Sequence, residues 1–102
     1  MVAERMDVMA KFNLGQLLST PGAIEAATAA GDDLRTYLAR HAAGDWGTVD
    51  GGDKRANARA LVEGSRLLSA YLLSDGTKIW IITEADRAAT TVLLPDEYLA
   101  GC

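Results

Sequence analysis

Residues 66–83 read RLLSAYLLSDGTKIWIIT. Two runs rich in leucine, isoleucine and aromatic residues, 66–73 and 77–83, flank a turn that contains Asp75-Gly76. Asp-Gly between two such runs favours a β-hairpin, because both residue types accept the positive φ angles of a tight turn. The sequence therefore predicts two antiparallel strands here.

A two-residue turn at Asp75 and Gly76 would place Tyr71 opposite Trp80 on a face of mixed polarity. The opposite face would be apolar and suited to packing against helices. Its predicted members are Leu68, Ala70, Leu72, Ile79 and Ile81. The Tyr71/Trp80 pair is open to two interpretations: an exposed aromatic surface for a partner, or a patch that the N-terminal segment 12–18 covers.

Three helices are predicted before the hairpin. Thr20 before Pro21 is typical of a helix start, because threonine caps the first amides and proline fits the first helical position; this helix runs to about residue 30. The second helix follows an amphipathic stripe and ends near Gly44. The stripe consists of Leu34, Tyr37, Leu38 and His41. The third helix covers about 53–64, with Asn57 near its buried side.

The order of the elements predicts an α+β fold. A third strand is expected at 90–94, where Pro95 ends it. Two to three N-terminal helices would then pack on a C-terminal three-stranded antiparallel meander. A chain of 102 residues has room for one core, expected over residues 12–102, with residues 1–11 as a flexible N-terminal extension.

Composition excludes several functional classes. Ten Lys and Arg against 14 Asp and Glu give a net charge of −4, which argues against a non-specific nucleic-acid binder. No apolar run is long enough to span a membrane, so a cytoplasmic location is predicted. A single cysteine, Cys102, and a single histidine, His41, exclude an internal disulfide and a Cys/His zinc cluster. No cofactor motif is present, and none is expected to bind.

His41 is the one residue whose ordinary pKa lies near neutrality. Asp45, four residues further along, would lie close enough in a helix to orient the imidazole as a general base. The alternative, which we favour, is a histidine that stabilises the last turn of its helix through the helix dipole. A triad hydrolase needs a nucleophile beside this base, and Cys102 at the chain end does not supply one.

Trp46 lies in the glycine-rich segment 44–52, which is predicted to be a loop. The flanking glycines would let Trp46 close over a ligand as a mobile lid. The favoured alternative is that Trp46 anchors the loop onto the core.

The densest polar grouping lies where the loop between the second and third strands meets the start of the first strand. It consists of Glu84, Asp86 and Arg87 from the loop, together with Arg66 and Asn57. Such a grouping would suit recognition of an anion or a carboxamide. The favoured alternative is an ion-pair network that holds the turn.

Several motifs together give the chain a family resemblance. They are GDWG at 44–47, Asn57, SAY at 69–71, DGTKIW at 75–80, TEADR at 83–87 and LP at 94–95. On these motifs, residues 11–98 resemble a family of small bacterial proteins often labelled plasmid-related. The resemblance implies a bacterial, mobile-element setting.

The preferred functional hypothesis is an acidic binding module that acts on a host or plasmid protein. Its expected contact residues are Trp46, Tyr71 and Trp80, because tryptophan and tyrosine carry much of the binding energy in interfaces. The polar grouping around Arg66 and Arg87 would contribute to the same site. An exposed aromatic face would serve equally well as the contact of a homodimer.

A weaker resemblance is to RelE-like and barnase-like ribonuclease toxins, which also place helices before an antiparallel sheet. The residues that carry it are Gly64-Ser65-Arg66, Tyr71, Asp75, Arg87 and Tyr98. The resemblance implies that Arg66 and Arg87 grip phosphates and that Tyr98 assists attack by a ribose hydroxyl. These toxins are usually basic, whereas this chain is acidic. A small ribonuclease is therefore the second hypothesis.

Overall fold

The computed structural model describes residues 10–100, which form four helices and a four-stranded mixed sheet. The elements are β1 (Gln16–Ser19), α1 (Pro21–Ala30), α2 (Leu34–Ala42), α3 (Gly51–Glu63), β2 (Leu67–Leu72), β3 (Lys78–Thr83), β4 (Ala89–Leu93) and α4 (Pro95–Ala100). The α+β class is confirmed. Most of the predicted extension, residues 1–9, lies outside the described residues.

The sheet has the strand order β1-β4-β3-β2. The pairs β2·β3 and β3·β4 form the predicted antiparallel meander, and β1 adds a fourth strand that runs parallel to β4. Gly15, immediately before β1, has a φ of 66°, and a Cβ there would overlap the backbone of Arg87 and Ala88. Only glycine permits this close approach. β1 can therefore join the sheet although its sequence does not alternate between apolar and polar residues.

Each of the first three helices begins after a residue whose side chain caps it. The Thr20 side chain accepts from the Ala23 N–H at 3.1 Å and caps α1, which ends at Gly31 in the left-handed conformation. Asp33 caps α2. Asp50 caps α3, which begins two residues earlier than predicted. None of the helices between residues 10 and 100 is long and apolar enough to cross a membrane.

The β2–β3 hairpin closes through three loop residues, 74–76, and the predicted two-residue turn is wrong. The Leu73 N–H donates to the Thr77 carbonyl at 2.8 Å, and the Gly76 N–H donates back to the Leu73 carbonyl at 2.8 Å. Gly76 follows this turn with a φ of 90°, the left-handed position that three-residue hairpins require.

A long-range contact accompanies the longer loop. Asp32, which lies between α1 and α2, accepts from the Ser74 N–H at 2.7 Å and from the Ser74 hydroxyl at 2.5 Å. These bonds hold the turn against the helices and lower the pKa of the Asp32 carboxyl. The contact between Asp32 and Ser74 joins residues 42 positions apart, so the local sequence of the turn does not predict it.

The added loop residue shifts the strand register by one and exchanges the faces of β3 relative to β2. Tyr71 is opposite Ile79, and Trp80 is opposite Ala70. The predicted Tyr71/Trp80 pair is therefore wrong. Tyr71 is 1% exposed, on the face that packs against α1 and α2. We call this the inner face, and the opposite face, which carries Trp80, the outer face.

The core lies mainly between the inner face and helices α1 and α2. Its buried cluster contains Ala23, Tyr37, Leu38, Tyr71, Leu73, Ile79, Ile81 and Val92. A second buried cluster lies near the β2 edge of the sheet. It contains Trp46, Val49, Ala60, Leu67 and Ala70.

The outer edge of β2 is closed by the loop that precedes α3. The Ala70 N–H donates to the Trp46 carbonyl at 3.1 Å, and the Thr48 N–H donates to the Ala70 carbonyl at 2.7 Å. Gly47, between them, has a φ of 75°, and a Cβ there would overlap the Ala70 carbonyl and the Tyr71 ring. This glycine lets the loop run beside the strand.

Asn57 of α3 closes the same edge further along. Its Nδ2 donates to the Leu68 carbonyl at 2.6 Å, and its Oδ1 accepts from the Leu68 N–H at 3.1 Å. One side-chain amide thus satisfies both backbone groups that an adjacent strand would satisfy. Asn57 is 3% exposed, as its predicted position on the buried side of the helix requires.

We expect Asn57→Ala to lower the free energy of unfolding by about 1–3 kcal/mol, because it leaves the partly buried N–H and C=O of Leu68 without partners. Asn57→Asp should be at least as destabilising, since a carboxylate oxygen would then face the Leu68 carbonyl. Urea denaturation monitored by tryptophan fluorescence measures both. The exposed neighbour Ala58 supplies the control, and equal stability of Ala58→Asp and Asn57→Asp would contradict this role.

Candidate functional site

His41 is the first member of a buried chain of hydrogen bonds. Its Nδ1 lies 2.5 Å from the Ser69 Oγ, and its Nε2 lies 2.9 Å from the Thr83 Oγ1. Thr83 continues to the Thr90 Oγ1 at 2.7 Å, and Thr90 donates to the Leu14 carbonyl at 2.7 Å. All four polar side chains are fully buried.

The last bond of this chain determines where every proton lies. Thr90 gives its single hydroxyl proton to Leu14, so Thr83 must donate to Thr90. Thr83 then has no proton left for His41, so the imidazole carries its proton on Nε2 and donates to Thr83. Nδ1 is left as an acceptor, and Ser69 donates to it.

Aromatic rings cover the imidazole. Phe12 meets it edge to face at a centroid distance of 5.2 Å, and Trp46 does so at 5.7 Å. Burial lowers the pKa of His41 to about 4, and the positive charge of Arg87 contributes in the same direction. At neutral pH the imidazole is therefore uncharged.

Both sequence interpretations of His41 need correction. The carboxylate of Asp45 does not orient the imidazole. It accepts from the Arg40 Nε at 2.8 Å instead. A neutral, buried imidazole is also not the charged partner of a helix dipole. Sequence reasoning missed Ser69 as its hydrogen-bond partner, because Ser69 is 28 residues away and the two-residue turn had separated its face from that of Thr83.

The His41 pKa predicts a loss of stability in acid. The unfolded imidazole, with a pKa near 6.5, binds a proton more readily than the folded one at about 4. The free energy of unfolding should therefore fall as pH drops from 6.5 towards 4, by on the order of 3 kcal/mol from this group. His41→Gln removes this contribution. Denaturation curves at several pH values should show a shallower decline for His41→Gln than for the wild type, and parallel declines would contradict the assignment.

Arg87 holds the backbone and makes none of the predicted ion pairs. Its Nη1 donates to the carbonyls of Ser65, Glu84 and Ala85 at 2.6, 3.2 and 3.2 Å, and its Nη2 donates to that of Ala60 at 3.0 Å. The predicted ion-pair network of this loop is wrong. The ion pairs found among residues 10–98 are Arg35–Asp33 and Arg40–Asp45, both elsewhere.

The two carboxylates of the loop are exposed, and Asp86 accepts from the Ala88 N–H at 2.9 Å within its own turn. The predicted polar grouping is therefore not one cluster. Asn57 closes the edge of β2 and Arg87 binds carbonyls.

Arg66 and Tyr98 do meet, as part of a cluster on the outer face. The Arg66 Nη1 donates to the Tyr98 hydroxyl at 2.9 Å, and its guanidinium lies 5.7 Å from the Tyr98 ring centroid. Tyr98 in turn contacts Trp80 edge to face at 5.7 Å. Arg66 is exposed, whereas Trp80 and Tyr98 are half-buried. We call these three residues the outer aromatic cluster.

The two arginines should respond differently to substitution. Arg87→Ala should lower the free energy of unfolding by about 1–3 kcal/mol, because four carbonyls lose a charged donor. Arg66→Ala should cost less than about 1 kcal/mol, because it loses a single hydrogen bond, which is exposed. Thermal denaturation of both variants tests this, and a larger loss for Arg66→Ala would overturn the assignment.

Trp46 and Tyr71 both belong to the core and not to an exposed surface. Trp46 is buried against Phe12 and His41, as the anchoring alternative predicts. The Tyr71 ring stacks at a tilt on Tyr37 and its hydroxyl donates to the Asp45 carbonyl, while burial raises its pKa to about 12. The segment predicted to cover Tyr71 and Trp80 instead contributes Phe12 to the His41 site and the strand β1.

The structure thus brings together two groups: the buried His41 chain on the inner face and the outer aromatic cluster. Within the part of the chain that the structure describes, no three His, Cys, Asp or Glu side chains converge as metal ligands would. The chain matches no known protein-family model, no curated protein and no solved structure.

Proposed function

We propose that this chain is a protein-binding module of a bacterial mobile element, which acts in the cytoplasm on a host or plasmid protein through its outer sheet face. The observation that carries the proposal is the position of Trp80. The observed register places this tryptophan at the middle of the face opposite the main core. There it is half-buried, with part of its ring packed against the second buried cluster and the rest accessible.

The surroundings of Trp80 suit a protein contact. Leu68 is half-buried and Leu72 is 50% exposed on the same face, which extends the apolar surface. Tryptophan, tyrosine and arginine are the residues that most often dominate binding energy, and all three occur in the outer aromatic cluster.

The charges around this apolar surface indicate what kind of partner it would bind. Two exposed cations, Arg66 and Lys78, flank the apolar surface, although the chain as a whole has a net charge of −4. We therefore expect a partner segment with an apolar anchor and acidic residues beside it, because opposite charges at the rim speed association and select the partner.

The same geometry favours binding over RNA cleavage. Of the three residues that the ribonuclease resemblance assigns to catalysis, Arg87 is occupied by four carbonyls. The single histidine is sealed beneath Phe12 and Trp46, with a pKa of about 4. Arg66 and Tyr98 remain, and they supply one guanidinium for phosphate with no histidine beside it.

Partner capture tests the proposal. Immobilised wild-type protein should retain a host or plasmid protein from bacterial extract, and Trp80→Ala should lose at least about 90% of it, as expected for a central anchor worth 2 kcal/mol or more. Val62, an 87% exposed residue of α3, supplies the matched control, and Val62→Ala should retain the partner fully. Leu72→Glu tests the same face at an exposed position if Trp80→Ala fails to fold.

An RNA assay separates the alternative. The purified protein, incubated at low salt with cellular RNA and labelled single- and double-stranded DNA, should neither cleave nor retain them. Cleavage that Arg66→Ala abolishes while the fold stays intact would reject the binding proposal in favour of a ribonuclease.

A further inference from the structure

The two edge strands of the sheet differ in whether their outward-pointing backbone groups are hydrogen-bonded. The edge of β2 is closed by the loop at 46–48 and by the amide of Asn57. Within residues 10–100, no segment pairs with the outer edge of β1. An open strand edge is a template for another strand, because its N–H and C=O groups point outwards.

The pairing of β1 with β4 identifies which groups point outwards. The Gln16 N–H donates to the Ala88 carbonyl at 2.9 Å, and the Thr20 N–H donates to the Val92 carbonyl at 3.0 Å. Along a strand, the backbone N–H and C=O groups of successive residues point alternately to its two edges. The groups of residues 16, 18 and 20 therefore point towards β4. The N–H and C=O groups of Leu17 and Ser19 therefore lie on the open edge.

This edge lacks the features that commonly discourage pairing. Residues 12–24 contain no charged side chain, although 24% of the whole chain is charged. The strand itself has no lysine, proline or bulge. Leu17 is 49% exposed and Leu18 is 43% exposed. In a chain of net charge −4, two copies could meet at this strand without bringing like-charged side chains of the strand together; the Glu97 carboxylate lies beyond its end, where it accepts from the Thr20 hydroxyl at 2.6 Å.

We propose that β1 pairs antiparallel with β1 of a second copy, which joins two sheets into one of eight strands about a twofold axis. Leu17 of each copy would be opposite Ser19 of the other, and these two pairs would exchange four backbone hydrogen bonds. Leu18 would meet Leu18 of the second copy at the axis, in a non-hydrogen-bonded pair with Cα atoms ~4.5 Å apart.

A second copy fits this edge because the strand is symmetric in the features that matter. The two outward-pointing residues, 17 and 19, lie on either side of Leu18, so the edge is complementary to itself, as a twofold contact requires. Leu18 is on the outer face, next to Thr91 of β4. The pairing would therefore place two copies of Trp80 on one continuous outer face. The β1–β1 pairing is independent of the proposal that the outer face binds a partner protein.

Disulfide cross-linking tests the register. Cys102 is replaced by serine, so that an introduced thiol is the single cysteine of the chain. Leu18→Cys should then form a covalent dimer on mild oxidation, because facing residues of a non-hydrogen-bonded pair lie within disulfide range. Leu17→Cys, whose opposite residue is Ser19, and the exposed control Val62→Cys should stay largely monomeric. Equal cross-linking of all three, or preferential cross-linking of Leu17→Cys, would overturn the proposal.

Sedimentation equilibrium of the unmodified chain tests association directly. The wild type and the control Val62→Lys should show the same monomer–dimer equilibrium. Leu18→Lys should weaken it by at least about tenfold, since two like charges would meet across the axis. Circular dichroism confirms that each variant is folded. A wild type that stays monomeric up to millimolar concentration rejects this proposal and leaves the partner-binding proposal standing.

Discussion

A chain of hydrogen bonds from Ser69 through His41, Thr83 and Thr90 to the Leu14 carbonyl connects most of the fold. It links α2, three strands and the segment before β1. No solvent reaches these side chains, so each polar atom depends on the next for its hydrogen bond. The relative positions of the helix, the strands and the N-terminal segment are therefore fixed together, since a shift of any one would leave a buried donor or acceptor without a partner.

The hairpin register determines whether this series of buried hydrogen bonds can form. Only the three-residue loop places Ser69 of β2 and Thr83 of β3 on the same face, towards His41. In the register of a two-residue turn they would be on opposite faces, because side chains alternate along a strand. The bonds from Ser74 to Asp32 hold the turn in the conformation that the buried chain needs.

The same register divides the side chains of the sheet between the main core and the outer face, where Ala70, Ile82 and Leu93 are also buried. On the inner face, the polar groups are satisfied within the core and Tyr71 packs beneath α2. On the outer face, Trp80 and Tyr98 remain half-buried, with Arg66 exposed beside them. We therefore propose the outer face and the β1 edge as the interaction surfaces, and not the buried His41.

The sequence by itself determined the α+β order, the antiparallel meander and the start of α1, since these depend on residues close together in the chain. It did not reveal β1, whose four residues join the sheet only because Gly15 passes close to Ala88. The site was also decided by tertiary structure. Asp-Gly permits loops of two or three residues, and contacts between distant segments, such as Ser74 with Asp32, select between them. That selection placed Tyr71 in the main core and left Trp80 half-buried on the outer face.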